Sequence, residues 1–373
     1  MFTLTDEQRQ FQESLQRLLR DGYDFDRRRA IAASEAGWSR EYWEQLAGLG
    51  VLALTLPEAH DGFGGGAVDT FLVMEACGRA LLLEPYLATV VMGAGLVARA
   101  GSEAQRAAIL PAVAAGTRQL AVAVYEPGRR YALDPLVTTA QPLESGGWSL
   151  SGAKTHVLNG GSADALIVSA RTPRGVSLLR VDAAAGGVQR ESYAMYDGQR
   201  AATIRFDAVR IGADALLGEE GAAAEAIEYA VDAAIAAVCA EAVGAMSALL
   251  ETTGQYLKTR KQFGVPIGSF QVLQHRMADM LLATEQARSM AQLAASRLAD
   301  ATREERRRIV SAAKVKVSEA ARFVGQEAVQ LHGGIGVTDE LPASHYFRRL
   351  TMIEVAFGDV DHHLGALGAL LFD

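Results

Sequence analysis

Tyr256-Leu257-Lys258-Thr259-Arg260-Lys261-Gln262-Phe263-Gly264-Val265-Pro266-Ile267 runs directly into Phe270-Gln271, Gln274-His275 and Ala278-Asp279-Met280. One helical period ends in this stretch and another begins, with Gly264-Val265-Pro266 as the punctuation. Working outward, the chain after Gly221 reads as helix to its end, in segments of about 222 to 260, 268 to 301, 303 to 332 and 342 to 370. Ala301-Thr302 and Gly333-Gly334-Ile335-Gly336 divide the later segments. Four long antiparallel helices with short connections make a bundle.

Upstream, from Gln119 to about Gly218, the helical period disappears and short β-rich runs replace it: Leu120 to Tyr125, Leu136 to Ala140, Trp148 to Leu150, Ala165 to Ala170, Val176 to Val181 and Ala201 to Phe206. Turn signals such as Ser145-Gly146-Gly147 and Asn159-Gly160-Gly161 separate them. Strands at this spacing predict a small antiparallel barrel or sandwich. Residues 1 to 117 read as helices again. Thr5-Asp6-Glu7-Gln8 and Ser102-Glu103-Ala104-Gln105 are capping boxes, and Trp43, Leu46 and Leu49 mark another helix closed by Gly50. The expected class is therefore α+β, with an all-α region at 1–117, a β domain at 118–220 and a four-helix bundle at 221–373. The Gly-rich Asp61-Gly62-Phe63-Gly64-Gly65-Gly66 lacks the Lys-Ser/Thr of a phosphate loop and reads as a flexible connection.

The whole chain sets bounds on function. Its 373 residues are 50% hydrophobic and 21% charged, enough to bury a large core. A formal charge of -8 argues against a nucleic-acid surface, which needs a concentrated basic face. Arg303-Glu304-Glu305-Arg306-Arg307-Arg308 is basic only locally and reads as a solvated bend. Cys77 and Cys239 lie in alanine-rich apolar stretches, as buried thiols of a reducing cytoplasm do. No basic start with an apolar run follows Met1, and acidic residues interrupt every long apolar stretch, so we expect a cytoplasmic protein without a membrane span.

About 50 residues after the opening motif comes Gln330-Leu331-His332-Gly333-Gly334-Ile335-Gly336. Together with the helix, β, helix order and Leu217-Gly218-Glu219-Glu220-Gly221, these runs closely resemble the acyl-CoA dehydrogenase family along nearly the whole chain. The resemblance implies FAD as cofactor and an acyl-CoA thioester as substrate. It also implies a tetramer built as a dimer of dimers, in which these C-terminal residues serve the neighbouring subunit's flavin. Arg260 would meet the pyrophosphate, Phe263 and Phe270 the adenosine side, and Gln271 and Gln330 would donate amide hydrogen bonds. Gly333 and Gly334 would let backbone approach the cofactor.

Other positions depart from the family pattern. Its Thr-Glu-Pro and small-residue turn become Tyr125-Glu126-Pro127-Gly128-Arg129-Arg130-Tyr131. In Lys154-Thr155-His156-Val157-Leu158-Asn159, His156 and Leu158 stand where a Trp and a Thr usually contact the flavin; His156 is kept as a candidate contact, as is Asp359. The base that removes the α-proton must be a carboxylate in a dry pocket. Phe357 occupies its usual position, and Ala234 the family's alternative one. Glu241, in the apolar run Ile235 to Ala245, is left with two readings: a base, or a buried partner for an Arg. His332, His345, His362 and His363 have no metal-ligand framework and read as surface or interface histidines.

This mixture resembles pimeloyl-CoA dehydrogenase small subunits and the steroid-degrading acyl-CoA dehydrogenases made of two different subunits. Two functions follow from it. One is a self-sufficient FAD-dependent enzyme of α,β-desaturation, in fatty acid or steroid catabolism, passing electrons to an electron-transferring flavoprotein. The other is a non-catalytic subunit that completes the FAD site of a larger dehydrogenase partner.

Overall fold

The computed structural model describes residues 2–135 and 137–372, so Leu136, the expected start of one strand, lies outside the described residues. The chain packs as two compact units. The first takes the described residues of Met1–Ala30, Ala67–Leu82 and Ile235–Asp373, and the second takes Ile31–Gly66 and Leu83–Ala234.

In the first unit, α1 (Asp6–Gly22) starts at a capping box: the Gln8 amide donates to Thr5 Oγ1 at 3.2 Å, and the Thr5 amide donates to Gln8 Oε1 at 3.1 Å. α2 (Phe25–Ala33) crosses from this unit to the second, where α3 (Arg40–Gly48) buries Tyr42, Trp43 and Leu46. α4 (Ala67–Ala80) crosses a later helix backbone to backbone, as described below. In the second unit a π-helical stretch, Leu87–Ala94, continues into α5 (Gly95–Ala100) and α6 (Glu103–Ala114). The Asp61–Gly66 run is a tight turn rather than a flexible link. Gly64 and Gly65 donate their amides to Leu56 O and Leu54 O, each at 2.9 Å.

The second unit holds an eight-stranded sheet among the described residues. Its strands are β1 (Leu120–Ala123), β2 (Thr139–Pro142), β3 (Trp148–Leu158), β4 (Ala165–Thr172), β5 (Gly175–Asp182), β6 (Val188–Ala194), β7 (Arg200–Ile211) and β8 (Leu216–Leu217). The order is β6-β7-β3-β2-β4-β5-β8, with β1 on β4. The sheet is mixed, not wholly antiparallel, because β1 and β2 both run parallel to β4. β6 escapes the sequence pattern for a physical reason. It is an edge strand with most residues exposed, so it needs no alternation of apolar side chains. β3 is longer than its apolar signal because Gly152 and Lys154 interrupt that signal and its register shifts at both places.

α7 (Ala224–Thr259) is long and apolar enough, by length and composition, to cross a membrane; 78% of its most apolar window is buried in the fold. In the first unit α7 meets α4 without intervening side chains. A Cβ on Gly78 would lie 1.9 Å from Glu241 O, and one on Gly244 1.9 Å from Glu75 O. A short hairpin, β9 (Lys261–Gln262) and β10 (Val265–Pro266), leads to α8 (Gln271–Arg297) and α9 (Arg303–His332). The charged run at 303–308 is the first turns of α9, not a bend, and its Arg306 is buried.

The segment expected as one final helix is two, α10 (Pro342–Val355) and α11 (Val360–Phe372). Phe357 at φ +59° and Gly358 at φ +123° turn the chain between them. The fully buried Lys314 Nζ donates to Glu354 O at 2.8 Å and Gly358 O at 2.7 Å, satisfying carbonyls that the break exposes. Asp359 starts α11, its Oδ1 accepting the His362 amide at 2.9 Å.

Candidate functional site

The end of α7 and the end of α9 come together with the start of α8 in the first unit. They enclose a groove of about 480 Å³ lined by Tyr256, Arg260, Ile267, Arg276, Gln330 and the Gly333–Gly334 turn, among others. Arg260 is the first residue past α7, its amide donating to Tyr256 O at 2.8 Å. α9 stops where it does because Gly333 adopts φ +66°, a conformation costly for any residue with a Cβ. Among the described residues, a Cβ at Gly333 or Gly334 would meet no atom within 4 Å beyond its chain neighbours, so the space beside them is open. Arg276 is held at the groove by Glu327, 3.2 Å away.

The structure thus brings Arg260, Gln330, Gly333 and Gly334 to one place. It does not bring all the expected residues there. Phe263 is 92% exposed at the hairpin tip, edge-on to Phe270 with ring centroids 6.2 Å apart, and neither lines the groove. Gln271 opens α8 outside it, and Asp359 serves as the cap of α11. Sequence reasoning passed over Arg276, Tyr256 and His332 as groove residues. The four-residue step from Tyr256 to Arg260 was the available signal for the tyrosine.

Glu241 has the second of its two expected roles. Arg349 Nε and Nη2 donate to its two carboxylate oxygens, both at 2.6 Å, and both side chains are buried. The guanidinium takes one lone pair on each carboxylate oxygen and fixes the orientation of the Glu241 side chain. Phe357, at the usual base position, is a buried phenylalanine in the turn between α10 and α11. Of the histidines expected at the surface or an interface, His332 and His363 are buried within the chain and so are not surface groups, and no cluster able to hold a metal occurs among the described residues.

In the second unit Lys154 is an internal strut. Its Nζ donates to Glu126 Oε1 at 3.2 Å, Val124 O at 3.2 Å and Ser169 Oγ at 3.0 Å. Glu126 in turn accepts the amides of Val137 and Thr138, closing the loop between β1 and β2. Burial lowers the Lys154 pKa from 10.5 to about 8, opposed by the neighbouring Glu126 charge. Tyr125 is half-buried, and loss of solvent around its hydroxyl raises its phenol pKa. His156 is exposed at φ +51° and lies edge-on to Tyr193, with centroids 6.3 Å apart. Leu158 lines a crevice of about 40 Å³ with Trp38, Glu84 and Arg200.

The two ends of the chain match known patterns. Residues 5–117 match the family described as "Acyl-CoA dehydrogenase, N-terminal domain", and residues 214–371 match "Acyl-CoA dehydrogenase, C-terminal domain". The chain belongs to the acyl-CoA dehydrogenase family, FAD-dependent oxidoreductases that act on the CH–CH bond of acyl-CoA. It is 30% identical over 353 residues to acyl-CoA dehydrogenase FadE27 of Mycobacterium tuberculosis, covering 92% of this chain and 91% of that one. Among solved structures it resembles a variant of the steroid ACAD Tcur3481-Tcur3483, at 33% identity and TM-score 0.89, covering 98% of each chain. It also resembles the ChsE4-ChsE5 complex from Mycobacterium tuberculosis, at 27% identity and TM-score 0.91, covering 100% of this chain and 98% of that one.

The groove suits part of FAD. Its guanidinium and amide donors complement a pyrophosphate, its Ile267, Val272 and Leu273 are apolar, and its two glycines leave the approach open.

Proposed function

We propose that this chain is the non-catalytic protomer of a heteromeric acyl-CoA dehydrogenase, lending its groove to the FAD of a larger partner subunit. The partner carries out α,β-desaturation of a CoA thioester. One observation carries the reading: the groove stands open while Glu241 is locked by Arg349 and Phe357 replaces the usual base. FAD, when bound, supplies the acceptor for the hydride leaving Cβ. Arg260 and Gln330 would hold it by charge-assisted and amide hydrogen bonds, leaving proton removal to the partner's carboxylate.

Two further features support the reading. His156 and Leu158 stand where a flavin-contacting Trp and Thr are usual, and two solved relatives carry paired names. One of these is a steroid dehydrogenase, which makes a bulky acyl group the substrate class we favour. The assembly would be a cytoplasmic dimer of dimers that passes electrons to an electron-transferring flavoprotein. The test is flavin per chain for the protein purified alone and co-expressed with an adjacent dehydrogenase-like gene product. We expect about half a flavin per chain, present only with the partner. One flavin per chain in the lone protein, bleached by acyl-CoA, would overturn the proposal.

A further inference from the structure

The turn that carries Gly333 and Gly334 is fixed from inside the groove by two residues. Tyr256 stacks on His332 with ring centroids 4.5 Å apart and planes 29° from parallel. Its hydroxyl donates to His332 O at 3.2 Å, the carbonyl of the peptide that joins His332 to Gly333. The imidazole is only 3% exposed, and its Nδ1 lies 2.8 Å from Ala328 O. A carbonyl can only accept, so Nδ1 carries the proton and Nε2 is the ring's free lone pair. Burial holds the imidazole below its ordinary pKa of 6.5, so it is neutral at pH 7.

This arrangement has an electrostatic consequence. A backbone carbonyl left unpaired beside a pyrophosphate would set a partial negative charge against an anion. Tyr256 occupies that carbonyl with a donor, while Arg260, just past the end of α7, stays exposed for the ligand. Resting on the reading that the groove serves a partner's FAD, we infer that Tyr256 and His332 are positioning residues of that half-site. Tyr256 orients and masks the His332 carbonyl, and His332 holds the stack as its neutral, Nδ1-protonated form. Neither side chain needs to touch the cofactor for its loss to be felt there.

The test uses the co-purified two-chain complex, titrated with FAD by flavin fluorescence. Tyr256→Phe keeps the stack and removes the donor, and the unmasked His332 carbonyl facing the anion should weaken FAD binding about fivefold. Tyr256→Leu removes both and should weaken binding by more than tenfold, leaving the phenylalanine variant intermediate as a partial rescue. Assembly state should be unchanged in the phenylalanine variant, and its loss of FAD affinity should persist far below its melting temperature, where a merely structural tyrosine would leave affinity at the wild-type value. Arg260→Ala separates the two levels of inference. If it leaves FAD affinity unchanged, the half-site reading fails and this proposal with it. If it lowers affinity at least tenfold while Tyr256→Phe stays within the error of wild type, the positioning role alone is refuted. Should Tyr256→Leu fail to assemble, the phenylalanine result decides.

Discussion

Glu241→Gln removes one charge from a pair whose members are 2% and 5% exposed. The structure lets the consequence be sized. Arg349 loses two charge-assisted hydrogen bonds of 2.6 Å and becomes a buried guanidinium facing a neutral amide. Removing one partner of a buried ion pair costs about 3–5 kcal/mol, because the surviving charge stays desolvated. That is a large share of the roughly 5–15 kcal/mol by which folded proteins are stable. Replacing both partners by apolar residues of similar size, Glu241→Leu with Arg349→Met, should return stability to within about 1–2 kcal/mol of wild type, since neither charge is then stranded. Urea unfolding followed by far-UV circular dichroism, at one fixed protein concentration, measures all three. A glutamine variant as stable as wild type would refute the argument. It would mean that Arg349 does not depend on this carboxylate, and Glu241 would return as a candidate base.

Three other outcomes follow from the packing. Gly78→Ala and Gly244→Ala each place a methyl 1.9 Å from a backbone oxygen of the facing helix, so both should destabilise by at least about 1–3 kcal/mol, read as a lower melting temperature. Glu126→Gln strands Lys154 and weakens the cap on Val137 and Thr138, and should cost about 3–5 kcal/mol and speed amide exchange of Thr138. Burial also lowers the Lys314 pKa from 10.5 to about 8. Between pH 8 and 10.5 the unfolded chain keeps a proton that the folded chain has released, so this group's contribution to stability rises with pH across that window. Lys314→Met should therefore lose part of the wild-type gain in urea midpoint between pH 8 and 10, and an identical gain in both proteins would exclude the buried ammonium as its source.

The parts legible in the sequence are those encoded by neighbours along the chain. Both capping boxes, at Thr5 and Ser102, form as read, because a cap involves residues three apart. The stop of α9 was visible at Gly333, where one residue's backbone preference decides the matter. The run from Tyr256 to Gln271 and the run from Gln330 to Gly336 identified the fold, and the family matches at both ends of the chain agree with it. Edge strand β6 was missed because an exposed strand has no apolar period to read. The break at Phe357–Gly358 was missed because its carbonyls are satisfied by Lys314, about forty residues earlier.

By itself, then, the sequence determined the succession of helical, β and helical regions, the family, FAD as cofactor and the absence of the usual glutamate at Phe357. Only the tertiary structure decided what Glu241 does, because its partner Arg349 lies 108 positions away and no local pattern links them. It alone decided which expected cofactor residues share a groove, gathering Arg260, Gln330, Gly333 and Gly334 and leaving Phe263 in solvent. The reason is the same in each case: propensity and capping act over a few residues, while charge compensation and cavity shape depend on where distant segments pack.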